Sequence, residues 1–272
     1  MYIWSSIQHV SLRKGFCMKA QFNAKVVSIT KVTDGIRTFK IALDNDNFKY
    51  KAGQFAILGL PLDKNDPDSD WVCRAYSISS AENAEITEFY IILVKDGALT
   101  TRLFDLKEGD KLYMSPKPAG LTSFEGIPDT SNVLFISSGT GIAPYISIIR
   151  THKNEMFNGK RKIALFHGVR RESDLAFRSD FEQFMKEYDG FAYFPVLSKD
   201  DANWHGLTGH VQDVMEAQLT KFLGESPFNK DKNYVFICGN PNMVASVSTA
   251  FLEHGFKQNT IKEPGNLRFD KH

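Results

Sequence analysis

The sequence contains few cysteines, and no local pattern pairs them. Its 3 cysteines, Cys17, Cys73 and Cys238, lie far apart, and no CxxC pair is present. Zinc ribbons and most iron–sulfur clusters need four ligands, usually supplied partly by closely spaced cysteines. We therefore expect no structural disulfide, no zinc ribbon and no iron–sulfur cluster within this chain.

Long apolar runs and an excess of one charge are also absent. No stretch approaches about 18 apolar residues, so the sequence predicts no membrane span. The 33 Lys+Arg and 32 Asp+Glu residues give a formal net charge of +1, which argues against nucleic acid or an anionic membrane as a partner of the whole chain. Residues 1–20 lack the apolar core and cleavage site of a signal peptide, so we expect a cytoplasmic protein, and we expect a monomer.

The first half of the chain reads as short strands separated by turns. Period-two alternation and turn residues predict six strands, at residues 24–30, 37–43, 54–60, 74–79, 88–95 and 111–114. Six short strands of this kind predict an antiparallel β-barrel. The loop at 61–70 carries four aspartates, and we interpret it as a solvated surface loop in preference to a metal site.

The second half alternates short apolar runs with helical patterns. The predicted strands are 133–136, 162–166, 191–197 and 234–238, and the predicted helices are 142–150, 174–188, 211–222 and 241–256. This alternation predicts an α/β domain with a parallel sheet. We expect a disordered arm at 1–17, a barrel domain at 18–125, a linker at 126–131 and an α/β domain with a C-terminal tail at 132–272.

Two turns in the second half have the composition of phosphate-binding turns. Gly139-Thr140-Gly141 lies between an apolar strand and a helix, and Cys238-Gly239 occupies the same position after the last predicted strand. Glycines let the backbone approach a phosphate, and a helix N-terminus offers unpaired N–H groups. Because ligands of open α/β sheets collect at the carboxyl ends of the strands, we expect both turns to border one crevice. Each turn alone is also consistent with an ordinary strand-to-helix connection.

Two segments of the first half could hold a phosphate and an aromatic ring. Arg74-Ala75-Tyr76-Ser77 places an arginine, an aromatic and a hydroxyl on one extended segment, which suits a phosphate fork, a stacking face and a hydrogen-bond donor. The later segment 97–103 begins with Gly97 and contains Thr100 and Thr101, whose backbone and hydroxyl groups could donate to a pyrophosphate.

These segments together resemble the ferredoxin–NADP reductase family, in particular its bacterial ferredoxin/flavodoxin–NADP reductases. The resemblance follows the family's order, spans roughly residues 25–268, and is carried by Gly53-Gln54-Phe55, Arg74-Ala75-Tyr76-Ser77, residues 97–103, residues 139–144, Phe166-His167-Gly168-Val169-Arg170 and residues 238–243. It implies a barrel that binds FAD non-covalently and an α/β domain that binds NADP(H). It also implies hydride transfer between the two, with ferredoxin or flavodoxin as a separate electron carrier.

The resemblance also implies roles for individual residues. Arg74 would pair with the flavin pyrophosphate, Tyr76 would lie against the isoalloxazine, and Ser77 would bond near its N5, while Cys238 would lie close to the nicotinamide. The remaining implied cofactor-binding residues are Ala75, Gly97, Thr100, Thr101, Gly139, Thr140, Gly141, Arg170, Arg171, Lys199 and Gly239. Basic residues near the flavin segment, Arg102 and Lys107, would receive an acidic carrier, although a solvated surface is their ordinary role.

The chain departs from the family where the 2′-phosphate of NADP should bind. Ser198-Lys199-Asp200 and Thr208-Gly209-His210 stand where the bacterial family has Ser-Arg-Glu and Thr-Gly-Arg. Lysine lacks the bidentate fork of arginine, and histidine is mostly neutral at pH 7. Arg170 and Arg171 still supply charge, so NADP(H) is favoured and NAD(H) stays an alternative. Residues 204–211 are also similar to NADH-using oxygenase reductases.

Two other functions and one feature of the tail stay open from the sequence. The chain could be the NADH-dependent reductase component of an oxygenase system, or an electron-transfer flavin subunit without independent turnover. Bacterial relatives end in an aromatic residue that covers the flavin, whereas this chain ends in His272. Either Phe269 or His272 would take that role, or the tail is plain surface.

Overall fold

The computed structural model describes residues 12–13, 16–17, 20–45, 48–63, 65–66, 69–199 and 202–269. By backbone contacts the chain divides into two compact units. One comprises 55–78, 84–119 and the described residues up to position 50, and the other comprises 51–54, 79–83 and the described residues from 120 onwards. Within these ranges, no helix is long and apolar enough to cross a membrane.

The first unit is built on an antiparallel sheet whose strands agree closely with the sequence prediction. Its main strands are β3 (Ala24–Thr33), β4 (Ile36–Leu43), β5 (Phe55–Pro61), β6 (Trp71–Ser77), β7 (Thr87–Ile92) and β8 (Lys111–Met114). They follow the order β6-β5-β8-β3-β4-β7, with all neighbouring pairs antiparallel. The predicted six-stranded antiparallel barrel is therefore confirmed.

An isolated bridge closes this sheet on itself. Ile78, directly after β6, bridges Phe89 of β7, which joins the two ends of the strand order. Both residues are fully buried and belong to an apolar cluster that includes Phe39, Ile41 and Leu58. The alternation that predicted the strands therefore points one face of each strand into a shared core. A short helix missed from the sequence, α1 (Thr100–Asp105), follows β7.

The N-terminal region contributes two short strands where it is described. β1 (Leu12–Arg13) pairs with β2 (Phe16–Cys17), and β2 pairs with the start of β6. The other residues of the arm lie outside the described part of the chain, so its expected disorder stays a prediction. The expectation of no structural disulfide is wrong, because buried Cys73 is disulfide-bonded. Sequence spacing could not show this, since strand pairing, and not chain distance, decides which residues approach.

The second unit carries a parallel sheet of the kind predicted. Its strands are β9 (Asn132–Ser138), β10 (Ile163–Val169), β11 (Phe191–Leu197), β12 (Leu207–Thr208), β13 (Asn233–Cys238) and β14 (Leu267–Phe269), in the order β12-β11-β10-β9-β13-β14. Every pairing in this sheet is parallel. The chain builds outward from β9 to β12 and then returns to the other side of β9, so the strand order reverses between β9 and β13.

Four helices connect these strands, close to their predicted positions. They are α2 (Ala143–Met156), α3 (Arg178–Glu187), α4 (Val211–Leu223) and α5 (Pro241–Glu253). Val211, Met215, Leu219 and Leu223 recur at helical spacing in α4 and are buried in a cluster with β9, β10 and β13. The helical periodicity read from the sequence is thus the face that packs on the sheet.

The tail of the chain is part of this core. Phe269 is the last residue of β14, pairs with Ile237 and is buried in the apolar cluster of the unit. It is therefore neither a surface residue nor a free aromatic, and both expectations for it are wrong. β14 is the second strand on this side of β9, and it pairs with β13, so Leu267 and Phe269 join the buried cluster of the sheet. His272 lies outside the described residues.

Two segments that fall between barrel strands in the sequence belong to the second unit. Ala52 donates its N–H to the Glu82 carboxylate, and Ser147 on α2 donates its hydroxyl to the Ser80 carbonyl, at 2.7 and 2.6 Å. Gly53 has a φ of +94°, and a Cβ there would lie 2.1 Å from the Thr122 carbonyl oxygen. Only glycine allows this approach. The predicted linker at 126–131 and the predicted domain limits stay predictions.

Candidate functional site

The reversal of strand order brings the two glycine turns of the second unit into contact. Gly141 follows β9, and a Cβ built on it would lie 2.4 Å from the carbonyl oxygen of Cys238 and 2.6 Å from the Cα of Gly239. A Cβ on Gly239, whose φ is +138°, would lie 2.4 Å from the Ser138 hydroxyl. The turns expected to border one crevice therefore do meet, and glycine is required on both sides of the contact.

Hydrogen bonds fix this contact from both strands. The Ser138 hydroxyl accepts the Asn240 N–H at 2.9 Å, and the Asn240 side chain in turn accepts the Asn242 N–H at the start of α5. On the opposite side, Ser137 donates to the carbonyl of Phe166 at 2.6 Å. The carboxyl end of β9 is thus tied to both of its neighbours, which leaves the turn itself little freedom.

The turn after β9 opens toward free space at its first glycine. Gly139 has a φ of +56°, a left-handed conformation, and no heavy atom lies within 4 Å of the position that a Cβ would take. Residues 139–142 form one turn of 3-10 helix that leads into α2. The first N–H groups of such a helix have no acceptor within the helix. Gly139, Thr140 and Gly141 are all half-buried, so ligand atoms can reach them.

A buried histidine supports this turn and was assigned no role from the sequence. His167 of β10 is fully buried, and its Nε2 lies 3.1 Å from the carbonyl oxygen of Gly139. Its Nδ1 lies 3.4 Å from the hydroxyl of Tyr193 on β11. Burial lowers the pKa of His167 from 6.5 to about 4. The imidazole is therefore neutral at physiological pH. The sequence signals for it were a histidine within an apolar strand and its place in the segment 166–170 that carries part of the resemblance.

The positive side chains predicted to hold a 2′-phosphate gather on the neighbouring strand ends. The N–H of Lys199 donates to the carbonyl of Arg170 at 3.1 Å, which joins the ends of β11 and β10. The side chains of Arg170, Arg171 and Lys199 are all exposed. His210 is exposed too, but its Nδ1 lies 3.5 Å from a carboxylate oxygen of Asp213. Three cations are thus available to an anion, and His210 has a competing partner.

A cavity of about 370 Å³ lies elsewhere in the same unit, beside β11. It contains none of the residues predicted to bind the dinucleotide. Its lining includes Glu172, Arg178, Tyr193, Pro195, Trp204 and Gln218. We assign it no ligand.

In the first unit the predicted flavin residues occupy the last half of β6. Arg74 alternates with Val72 and Tyr76, which both pack on the barrel core, yet its own side chain is exposed and donates to the Cys73 carbonyl at 2.7 Å. Ala75 is exposed and Ser77 is half-buried. Burial raises the pKa of the Tyr76 phenol above its usual value, and the positive charge of Arg74 opposes this effect. Tyr76 is therefore a neutral ring beside a cation.

The loop after β7 is shaped by its own threonines. The Thr100 hydroxyl accepts the Val94 N–H at 3.1 Å and donates to the Val94 carbonyl at 3.2 Å, and Thr101 donates to the Gly97 carbonyl at 2.8 Å. A Cβ on Gly97 would lie 2.6 Å from the Thr100 hydroxyl oxygen. Both hydroxyl protons are therefore used within the loop. The N–H groups of Gly97 and Thr101 also donate within the loop, to the carbonyls of Val94 and Gly97 at 3.0 and 3.4 Å, so a ligand would meet the remaining backbone groups.

The two basic residues considered for carrier docking differ in exposure. Arg102 is half-buried, and its guanidinium donates to the carbonyls of Ala98 and Leu62, the latter at 3.0 Å. Lys107 is exposed. Arg102 therefore holds the loop together, whereas Lys107 is free to face solvent. Among the described residues, no cluster of three acidic, histidine or cysteine side chains could hold a metal, and positions 64, 67 and 68 of the acidic loop lie outside them.

Known proteins resemble the chain in both halves. Residues 23–121 match the family described as oxidoreductase FAD-binding domain, and residues 135–249 match the oxidoreductase NAD-binding domain. The ferredoxin–NADP reductase of Pseudomonas aeruginosa is 31% identical over 264 residues, which cover 93% of this chain and 98% of that protein. The chain belongs to the ferredoxin–NADP reductase family.

Further members of this reductase family agree with the assignment. The flavodoxin/ferredoxin–NADP reductase of Escherichia coli is 31% identical over 81% of this chain and 85% of that protein. The crystal structure of a ferredoxin NADP+ reductase from Neisseria gonorrhoeae, which contains FAD and NADP, superposes with a TM-score of 0.78 at 26% identity. The superposition covers 93% of this chain and 99% of the Neisseria gonorrhoeae chain. This reductase is thus an oxidoreductase with the two-domain fold of its family.

The residues present fit the two ligands that the family implies. For the dinucleotide, the open space at Gly139 and the close contact of Gly141 with Cys238 form a backbone cradle that a side chain would fill. For FAD, the donor set of β6 combines an exposed guanidinium, a neutral aromatic ring and a half-buried hydroxyl. A flavin nucleotide needs a cation for its pyrophosphate and an aromatic face for its ring. The structure therefore brings the two glycine turns together, joins Arg170 to Lys199 through their backbones, and places Arg74–Ser77 on one strand.

Proposed function

We propose that this reductase transfers a hydride between NADP(H) and FAD and exchanges single electrons with ferredoxin or flavodoxin. The observation that carries the proposal is the contact of the Gly139–Gly141 turn with the Cys238–Gly239 turn at the reversal point of an NAD-binding domain. The match of the other half of the chain to an FAD-binding domain supports it further. The E. coli relative, described as a flavodoxin/ferredoxin–NADP reductase, supports both carriers.

For FAD, we assign Arg74 to the pyrophosphate, Tyr76 to the isoalloxazine face and Ser77 to a hydrogen bond near N5. Ala75, Gly97, Thr100 and Thr101 complete the site through backbone groups, because the threonine hydroxyls are bonded within their loop. The exposure of Arg74 supports its role, since a guanidinium that pairs with phosphate must be reachable. Binding is non-covalent in this proposal.

For the dinucleotide, we assign Gly139, Thr140, Gly141 and Gly239 to the phosphates through backbone N–H groups. Arg170, Arg171 and Lys199 hold the 2′-phosphate of NADP(H), which makes NADPH the preferred coenzyme. Their exposure and the backbone bond that joins Arg170 to Lys199 support this assignment. The pairing of His210 with Asp213 limits the preference, so NADH is accepted more slowly.

When bound, FAD supplies the chemistry, because it accepts a hydride and returns electrons one at a time. The protein needs no acid or base of shifted pKa for this step. Cys238, at the carboxyl end of β13, is free of any disulfide and half-buried, and we assign it to the edge of the nicotinamide pocket. Ser77 and Cys238 are therefore the catalytic residues, and both act by orienting the reacting groups.

The carrier is a separate protein in this proposal. We infer an acidic partner that meets exposed basic residues of the barrel domain such as Lys107, whereas Arg102 contributes less because its guanidinium is engaged. The protein acts as a cytoplasmic monomer in this proposal, which size-exclusion chromatography with light scattering can test.

The experiment that tests the proposal is an anaerobic absorbance titration of the purified protein. We expect a flavin spectrum that NADPH bleaches much faster than NADH does. If NADH bleaches it faster, Lys199 and His210 mark a lost 2′-phosphate site, and the protein is the reductase component of an oxygenase system instead. If flavin bleaches with neither coenzyme, the protein is an electron-transfer subunit. If no flavin is bound or can be restored, the central assignment is wrong.

A further inference from the structure

One buried group is placed to control the dinucleotide turn without touching any ligand. His167 lies on the middle of three adjacent strands, β11, β10 and β9, and its two ring nitrogens reach the elements on both sides. The Tyr193 hydroxyl lies on one side and the Gly139 carbonyl on the other, at 3.4 and 3.1 Å. A buried histidine that only completed the core would be satisfied by any acceptor. This one reaches past the strand end into the ligand-binding turn.

The two partners decide where the proton of the ring lies. A backbone carbonyl only accepts hydrogen bonds, so Nε2 must carry the hydrogen that points at Gly139. Nδ1 of the neutral ring then accepts, and the Tyr193 hydroxyl donates to it. The lowered pKa keeps the ring in this neutral form at physiological pH. The Gly139 carbonyl thus selects the tautomer, and the Tyr193 hydroxyl, which can donate or accept, satisfies the other ring nitrogen.

The bond to Gly139 has a consequence for the next amide. The carbonyl of Gly139 and the N–H of Thr140 belong to one trans peptide plane, so they point in opposite directions. Because His167 holds the carbonyl toward the sheet, the Thr140 N–H is directed away from His167. The position at Gly139 where no atom lies within 4 Å shows that the turn is open there.

We propose that His167 is a positioning residue that fixes the Gly139–Thr140 peptide plane, so that the Thr140 N–H is held ready for a phosphate of the nicotinamide dinucleotide. The proposal rests on the proposed function only for the identity of the ligand. Gly139 has no Cβ, so no side chain of its own restrains this plane, and the bond from His167 adds to the restraint from the 3-10 turn that begins here. Tyr193 supports the plane indirectly, because its hydroxyl bonds Nδ1 of His167 and holds the ring in place.

Three substitutions separate positioning from simple packing. His167→Gln keeps both functions, because its amide nitrogen can donate to Gly139 and its amide oxygen can accept from Tyr193. His167→Leu fills similar space but supplies no donor. Tyr193→Phe removes the partner of Nδ1 and leaves the ring held from the Gly139 side only. His167→Asn is polar but too short to reach Gly139, so it replaces the leucine variant as the protein without a donor if that variant does not fold.

The measurement is the dissociation constant of NADP+ for each oxidised holoenzyme, by titration calorimetry, with FAD content and melting temperature recorded in parallel. We expect His167→Leu and His167→Asn to weaken NADP+ binding by about 10-fold or more, the scale of one lost hydrogen bond to a charged group. His167→Gln should stay within about threefold of wild type, and Tyr193→Phe should fall between. FAD content should not change. In amide NMR spectra, NADP+ should shift the Thr140 resonance in wild type and His167→Gln only.

Two outcomes would overturn the proposal. Wild-type NADP+ affinity in a folded His167→Leu or His167→Asn protein would show that the ring does not position the turn. Equal losses in the glutamine and leucine variants, matched by equal losses of melting temperature, would reduce His167 to a packing role. Failure of the proposed function is distinguishable, because wild type itself would then bind neither NADP+ nor NAD+.

Discussion

The two halves of this reductase offer different kinds of groups to a nucleotide. The barrel presents three side chains from β6, namely an exposed guanidinium, an aromatic ring and a hydroxyl. The first three residues of that strand are buried. The α/β domain presents backbone, with two glycine turns pressed together at the reversal of strand order. A side-chain site can lose one group and keep its fold. A backbone site depends on conformation, so small changes in packing should damage it more.

This difference has a structural origin. The barrel strands are antiparallel, and β6 is buried at Trp71–Cys73 but exposed or half-buried from Arg74 to Ser77, which leaves positions there for side chains that bind. The parallel strands of the second unit are covered on both faces, so ligands are met only at the strand ends, where the chain turns. There the N–H groups of the turns do the binding, and glycine lets them approach.

The largest effect should come from adding a methyl group at the contact of the two turns. A Cβ on Gly141 would lie 2.4 Å from backbone of the facing turn, whereas a Cβ on Gly139 meets no atom and is opposed only by its positive φ. We expect Gly141→Ala to lower the unfolding free energy by about 2–4 kcal/mol and to abolish measurable NADP+ binding. Gly139→Ala should cost about 1–2 kcal/mol. Denaturant unfolding checks the order, and a milder effect at Gly141 would break the comparison.

The matching change in the barrel should leave the fold intact. Arg74→Ala removes an exposed side chain, so the melting temperature should stay near that of wild type. FAD should bind about 10–100-fold more weakly, which corresponds to about 1.5–3 kcal/mol for a charged hydrogen bond. Fluorescence titration of the apoprotein with FAD measures this. Lys111→Ala, at another exposed cation of the barrel, is the control. Full flavin affinity in Arg74→Ala would refute the pyrophosphate assignment.

A third test asks whether side chains of the α/β domain bind the coenzyme only at the edge of the site, where the 2′-phosphate lies. Arg170→Ala should lower the preference for NADPH over NADH by about 10-fold, or about 1.4 kcal/mol, without changing NADH kinetics. The ratio of kcat/KM for the two coenzymes is the measurement. Lys221→Ala, an exposed cation on α4, should leave that ratio unchanged. An unchanged ratio in Arg170→Ala would remove this residue from the 2′-phosphate site.

The α/β domain should also carry a pH dependence that comes from its buried histidine. His167 has a folded-state pKa near 4 and an unfolded value near 6.5, so between these pH values the unfolded chain binds a proton that the folded chain excludes. Stability should therefore fall as the pH drops from 6.5 toward 4, by at most about 1.4 kcal/mol per pH unit. Denaturation of wild type and His167→Gln from pH 7 to 4.5 tests this. Parallel curves for the two proteins would contradict it.

The smallest effect should be on carrier docking. Lys107 is exposed, and single exposed ion pairs contribute about 0–1 kcal/mol. Lys107→Ala should raise the KM for ferredoxin or flavodoxin by about twofold, and added salt should weaken carrier reduction in wild type. Steady-state kinetics at several ionic strengths measure both. Carrier reduction that does not depend on salt would exclude an electrostatic docking surface.

The sequence predicted the elements and turns that depend on neighbouring residues. The six barrel strands and three of the four helices of the α/β domain lie within four residues of their predicted bounds, because alternation and helical spacing are local signals. The exception is α2, which ends six residues beyond the predicted 150, at Met156. The glycine turns are local too, since each follows its own strand. The two-residue β12 and three-residue β14 were missed, because so short a strand exists only through its distant partner.

What the sequence did not predict depends on residues brought together from far apart. The pairing of Phe269 with Ile237 and the bond from His167 to Gly139 both join residues far apart in the sequence. The disulfide at Cys73 is a third case, since the 3 cysteines are widely separated in the chain. Local composition carries no information on such pairings.

The most direct test of the account compares one variant from each half in two assays. FAD affinity and NADP+ affinity should be measured for Arg74→Ala and Gly141→Ala under one set of conditions. The account predicts that Arg74→Ala loses FAD affinity and keeps NADP+ affinity within about threefold, and that Gly141→Ala does the reverse. If either variant lost both affinities to a similar extent, the division into a side-chain flavin site and a backbone dinucleotide site would be contradicted.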